Sequence, residues 1–287
     1  MMDTSLLLYG RDILVGGFIG VAIGLTGIGG GALLQPALVY IVGLPPVEAV
    51  GTGLLYATIT KIGGVFGHYL RKTIRVRRTL LFLAGSVPGV LGAAGLVSYL
   101  NRQFDPAFMN WYLQGAIGAA LVGASLLIIA QSFLIRDLAA QRERITASRT
   151  TPVDLCTMVE AVGSGLMVGV LVGATSVGGG VLIIPVFLLL LDADTQQAVG
   201  SSIAISLVLS GMGGVVYLLH GNVALRALLM LCLGSLPGVY LGCRWAVLIP
   251  ERGLRVAVVT IVAGSGIALL AGLLEYKSAM EIIRGGF

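Results

Sequence analysis

Charge is scarce in this sequence. Lysine, arginine, aspartate and glutamate make up 11% of its 287 residues, against about 25% in soluble domains, and 57% of the chain is hydrophobic. No water-soluble globule could hide that much apolar surface. Histidine is scarcer still: His68 and His220 both lie near the ends of apolar runs. Cys156, Cys232 and Cys243 are odd in number and far apart, which excludes a disulfide framework and gives no metal-binding spacing. With no nucleophile and base within one motif and no ligand set, the chain is not expected to be an enzyme or to hold a metal or cofactor. Carboxylates are missing from the middle of the apolar runs. Asp12, Glu48, Asp154, Glu160, Asp192, Asp194, Glu251 and Glu275 all fall near or beyond run ends, so no carboxylate proton relay at mid-membrane is expected.

What is abundant is apolar sequence in long runs, such as 13–25 and 254–274, with a mean hydropathy of +1.00. Spaced along the whole chain, these runs predict an all-α integral membrane protein, since hydrocarbon offers backbone groups no partner outside a helix. The net charge of +5 and pI near 9.3 arise from basic residues in short loops beside the runs, the habit of cytoplasmic loops. No nucleic-acid-reading motif accompanies them. The first residues lack a basic leader and an obvious small-residue cleavage site, so the first run reads as a retained span.

Self-similarity organises the chain. Gly24-Leu-Thr-Gly-Ile-Gly-Gly-Gly31 lies 149 residues before Gly173-Ala-Thr-Ser-Val-Gly-Gly-Gly180. The same offset carries Pro36 onto Pro185, Ala49-Val50-Gly51-Thr52 onto Ala198-Val199-Gly200-Ser201, and Gly85, Ser86, Pro88, Gly89 and Val90 onto Gly234, Ser235, Pro237, Gly238 and Val239. An ungapped match over more than sixty residues indicates a tandem duplication. Two membrane repeats are expected, at 1–135 and 159–287, with a polar cytoplasmic linker at 136–158 that carries Arg136, Arg142, Arg144 and Arg149. Each repeat has five apolar segments: about 6–25, 31–43, 47–70, 79–100 and 111–135, then 159–175, 177–191, 195–219, 227–248 and 253–274. The second is short, about 20 Å as a helix against a hydrocarbon core of roughly 30 Å. About ten transmembrane or partly spanning helices follow.

Loop charge bears on how the repeats face. The loop 71–78 holds five basic residues, whereas its counterpart at 220–227 holds one arginine. Opposite charge character favours opposite faces and inverted repeats of five crossings. Re-entrant Gly-rich segments would instead give four crossings each and parallel repeats.

The candidate chemistry sits at the Gly-rich turns. Thr26, Gly27, Gly29, Gly30 and Gly31 in the first, and Thr175, Ser176, Gly178, Gly179 and Gly180 in the second, should break the helix and expose backbone at membrane depth. Such backbone survives there only against protein or a cavity. A helix resuming after each turn presents unpaired N–H groups, an anion site that needs no charged side chain. Neither turn has the Lys-Ser or Lys-Thr of a phosphate loop. Glycines can also serve close helix packing, but here they are adjacent, follow a hydroxyl residue and precede a proline.

The duplicated Gly-rich turn, the Ala-Val-Gly-Thr/Ser stretches and the Ser-x-Pro-Gly at 86–89 and 235–238 resemble the TauE/SafE family of sulfite exporters, over about residues 13–274. The resemblance implies transport of sulfur-containing oxyanions or organosulfonates across the bacterial inner membrane, without ATP or bound cofactor. The partners expected are a small anion and the lipid bilayer, not nucleic acid, and a homodimer stays open. Further candidates lie in the third segments: Thr52, with Thr58 and Thr60, and Ser201 and Ser202, with Ser206, whose hydroxyls can donate to an oxyanion. Lys61 lies too far from the segment end for its side chain to reach water by snorkelling, so it should face a cavity or a partner. Its counterpart is Ser210, so the repeat fold does not need the charge. The rival readings are a structural or assembly protein of the membrane and an intramembrane enzyme.

Overall fold

The computed structural model describes residues 2–26, 31–70, 74–142, 155–177, 179–180, 182–189, 195–245, 253, 256 and 259–272. The described chain is helical: α1 (Met2–Thr26), α2 (Gly31–Pro36) running on as a π-helix (Ala37–Val42), α3 (Pro46–Leu70), α4 (Val76–Gln103), α5 (Pro106–Arg142), α6 (Leu155–Thr175), α7 (Ile183–Leu189), α8 (Thr195–Leu219) and α9 (Leu225–Trp245). A further short apolar helix, α10, covers Val259–Gly272. These elements fall on the ten expected segments. Among the described residues six helices are long and apolar enough to cross a membrane. Large apolar side chains stand on their outer faces, among them Phe66, Leu96, Met167, Leu229 and Leu236, and on α1 Phe18 does the same. Water would not tolerate so much exposed hydrocarbon; a bilayer does.

The short second segments owe their form to proline. In α2, Pro36 removes the N–H that would bond one turn back, and the chain continues in the wider π-helical turn until Gly43, whose φ of 81° ends it. Only glycine adopts that conformation without cost. In α7, Pro185 sits in the first turn, where a missing N–H costs nothing. The helix there starts at Ile183, later than the expected 177, because the low helix propensity of the glycines keeps the break open through Gly180. At the linker, α5 runs on to Arg142, so 136–142 are helical, while 143–154 lie outside the described residues.

Close approach through glycine fixes which helices pair. A β-carbon on Gly16 would lie 2.8 Å from the Cα of Leu231, and one on Gly20 2.8 Å from the Cα of Ser235. The register shows α1 and α9 running in the same direction. The same happens between α4 and α6, where a β-carbon on Gly169 would lie 2.8 Å from the Cα of Ser86, and one on Gly165 3.2 Å from the nitrogen of Ser86. An offset of 149 exchanges the members of the two interlocks, Gly20 and Ser235 for Gly169 and Ser86. Without a hydrophobic drive between helices in lipid, such small-residue contacts are what holds spans together.

Between the two interlocked pairs, α3 lies against α8. A β-carbon on Gly214 would meet the Leu55 side chain at 2.6 Å, one on Gly211 the Thr58 methyl at 3.6 Å, and one on Gly64 the Ile203 side chain at 3.4 Å. Rising numbers on α3 meet falling numbers on α8, so the two helices are antiparallel. Phe82 of α4 packs on Phe187 of α7 with ring centroids 5.7 Å apart, and the buried Tyr217 hydroxyl donates to the Gly173 carbonyl at 3.0 Å.

Candidate substrate site

Lys61 stands near the middle of α3, and its ammonium donates to the Ser206 hydroxyl at the middle of α8. Ser206 itself is buried, at 1% exposure. The second Gly-rich turn closes on this pair: a β-carbon on Gly179 would lie 3.3 Å from Lys61 Nζ and 3.1 Å from Ser206 Cβ. Glycine is therefore required here by space, since any side chain would displace the ammonium or the hydroxyl. Because Ser206 accepts one of the three ammonium hydrogens, its own O–H remains a donor. A positive charge beside a hydroxyl and a glycine turn at mid-helix is an arrangement that can attract an anion.

The two breaks approach each other nearby. A β-carbon on Gly31, the first residue of α2, would lie 2.6 Å from the Ser176 carbonyl oxygen. Ser176 follows the last residue of α6 and takes φ 57°, the left-handed conformation that a serine adopts only when its surroundings impose it. Its neighbour Thr175 steadies the end of α6: its hydroxyl donates to the Leu171 carbonyl at 2.6 Å and accepts from the Val177 nitrogen at 3.2 Å. Gly180 carries on the break, its carbonyl accepting from the Ile184 nitrogen at 3.2 Å.

Gln35, which sequence reasoning passed over, belongs to this cluster. Its amide nitrogen donates to the Ala49 carbonyl at 3.1 Å, and a β-carbon on Gly53 would lie 2.6 Å from that nitrogen and 3.0 Å from Ser176 Oγ. Gln35 Oε1 and Ser176 Oγ are buried and have no hydrogen-bond partner among the described residues. The signal was available: a single amide inside an otherwise apolar segment, one residue before Pro36.

Other expected site residues are placed differently. Thr52 is fully buried and accepts a hydrogen bond from the Ala224 backbone nitrogen at 3.0 Å; Ser201, equally buried, accepts one from the Arg75 backbone nitrogen at 3.1 Å. Ser202 donates to the Val199 carbonyl of its own helix at 2.8 Å, as Thr58 and Thr60 do to Leu54 and Tyr56. Thr26 is the last residue of α1; its side chain and Gly27, Gly29, Gly30 and Gly178 lie outside the described residues.

Apolar spans wrapped around an interior ammonium, buried hydroxyls and broken helices define a multi-pass membrane protein of the transporter class. The chain belongs to the sulfite exporter TauE/SafE family, whose model matches residues 13–269. Among its relatives is the probable membrane transporter protein YjnA of Bacillus subtilis, 33% identical over 261 residues, which cover 90% of this chain and 98% of that protein. The probable membrane transporter protein YdhB of the same organism is 26% identical, with coverage of 90% and 98%. The probable membrane transporter protein MJ0441 of Methanocaldococcus jannaschii is 28% identical over 226 residues, 76% of this chain and 74% of that protein. No solved structure matches the chain.

Proposed function

We propose that this chain is a secondary transporter, and in direction an exporter, of small sulfur-containing anions such as sulfite or organosulfonates across the inner membrane, and not an enzyme. The observation that carries this reading is the Lys61 ammonium held by Ser206 at mid-depth, with the glycine turn at Gly179 against both. An oxyanion meets there a full positive charge, a hydroxyl donor and the backbone of a broken helix. The family description supports the sulfur-anion class. Export needs no carboxylate relay, because an inside-negative potential drives each negative charge outward with about 2.3 kcal/mol per 100 mV.

The architecture belongs to the same proposal: two inverted five-segment repeats that meet at the site. Support comes from the antiparallel course of the equivalent helices α3 and α8, and from the interlocks α1/α9 and α4/α6 that the 149-residue offset exchanges. Of the expected binding residues, Lys61 and Gly179 gain support from their contacts with Ser206, and Gly31 and Ser176 from their contact with each other, with Gln35 beside Ser176 at Gly53; Thr175 and Gly180 adjoin them in the second turn.

Purified protein in liposomes, loaded with sulfite, a sulfonate, thiosulfate or chloride, tests the reading. Saturable flux that sulfite and sulfonate compete for is expected. Lys61→Met keeps an unbranched chain of similar length and should lower flux by about tenfold or more, the worth of a hydrogen bond to a charged group. Parent protein without anion flux, or Lys61→Met with unchanged flux and affinity, overturns it.

A further inference from the structure

Thr52 and Ser201 are occupied, and their partners are what makes them informative. Each sits on the second turn of its helix, in α3 and α8, and each accepts a backbone N–H from the loop that follows the other helix. Ala224 lies just before α9, and Arg75 caps the start of α4. Because α3 and α8 are antiparallel, the two hydrogen bonds lie at opposite ends of the pair. With 1.5 Å per residue and the register of Lys61 against Ser206, they are about 20 Å apart along the axis, and the Lys61–Ser206 contact lies between them.

We infer that Thr52 and Ser201 are gate-positioning residues: the Thr52–Ala224 bond closes the path to Lys61 from one membrane face and the Ser201–Arg75 bond closes it from the other. Each bond ties α3 or α8 to a different interlocked pair. Ala224 leads into α9, which is interlocked with α1; Arg75 leads into α4, which is interlocked with α6. Parting one bond swings one pair away at one face and leaves the other face shut. Both hydroxyls are fully buried, so no water competes for the N–H while the bond is made. Second contacts back each bond: Arg75 Nε donates to Gln197 Oε1, and Asn101 donates to Asn222 at 3.3 Å beside Ala224. Here both bonds are made, which in this reading shuts the path from both faces.

The inference rests on the transporter reading, and one preparation separates the two. In a chain whose cysteines are replaced, Thr58→Cys puts a thiol between the bonds, and a membrane-impermeant maleimide is applied from either face of reconstituted vesicles. Thr52→Val should raise labelling from the face of loop 220–224 by about three- to tenfold, the effect of losing one hydrogen bond, and lower it from the other face. Ser201→Ala should do the converse. Ala224→Pro, which removes the N–H and leaves Thr52 intact, should reproduce Thr52→Val and serves in its place if that variant does not accumulate. A loss of packing alone would increase labelling from both faces in every variant; that result, or no change in any of them, overturns the inference. Anion flux in the parent vesicles reports on the transport reading independently of the labelling pattern.

Discussion

At the scale of single residues, Gly179 is the position where space and chemistry coincide. A β-carbon there meets the hydroxyl and ammonium that are proposed to hold the anion, so Gly179→Val should lower anion affinity by about tenfold or more, by displacing the charge-assisted hydrogen bond. Gly95 has nothing within 4 Å of such a carbon, and Gly95→Ala should leave affinity unchanged. Calorimetric titration with sulfite, beside size-exclusion profiles of each variant, measures both. A monodisperse Gly179→Val protein with parental affinity would remove the glycine turn from the site. Lys61 was legible in the sequence because a charge so far from a segment end has few innocent explanations. Gln35 gave a signal as the one amide in its apolar segment, but an amide beside a proline also reads as a helix-end residue, and its buried oxygen without a partner is seen only in the structure. Thr52 and Ser201 were expected at the site for their hydroxyls; the sequence could not show that each also accepts a backbone N–H from 172 and 126 residues away.

Helices and their contacts were partly legible. Apolar length located all ten segments, since hydrocarbon sets the length of a span. The exact start of α7 was not, because glycines and a first-turn proline are compatible with several helix starts. Nor did the sequence say which helices pair. Gly85 and Gly89 stood out only as repeated residues, and nothing in the sequence set Gly165 and Gly169 apart, yet the four set the α4/α6 interlock. The interlock makes a clear contrast. Gly169→Val should cost about 1–3 kcal/mol or more by overpacking, whereas Gly92→Ala, on the open face of the same α4, should be neutral or stabilise by up to about 1 kcal/mol through helix propensity. Thermal unfolding in detergent orders the two variants. Equal loss of stability in both would mean that the close approach at Ser86 contributes nothing.

For the whole molecule, the proposed inverted arrangement makes a simple claim about sidedness. Cysteines placed at Arg77, in the first turn of α4, and at Asn222, in the loop before α9, should react with an impermeant reagent from opposite faces, with Arg77 on the cytoplasmic side by its basic neighbours. Labelling of both from one face would require parallel repeats. The repeated residue identities at one offset were legible, but which helices they would bring together was not. The offset describes two similar halves, while the contacts cross between them: α1 is completed by α9, and α4 by α6.

That exchange of partners sets a timetable for biosynthesis. The surface of α1 around Gly16 and Gly20 is shaped for a helix whose contact residues, Leu231 and Ser235, are translated more than 200 residues later. At about 5–20 residues per second, α1 waits in the membrane on the order of ten seconds or more with its small-residue face unmatched. The pair α4 and α6, separated by a single helix, waits far less. Assembly of the chain is thus ordered, with the α4/α6 pair settled first and the earliest helix made among the last to be secured.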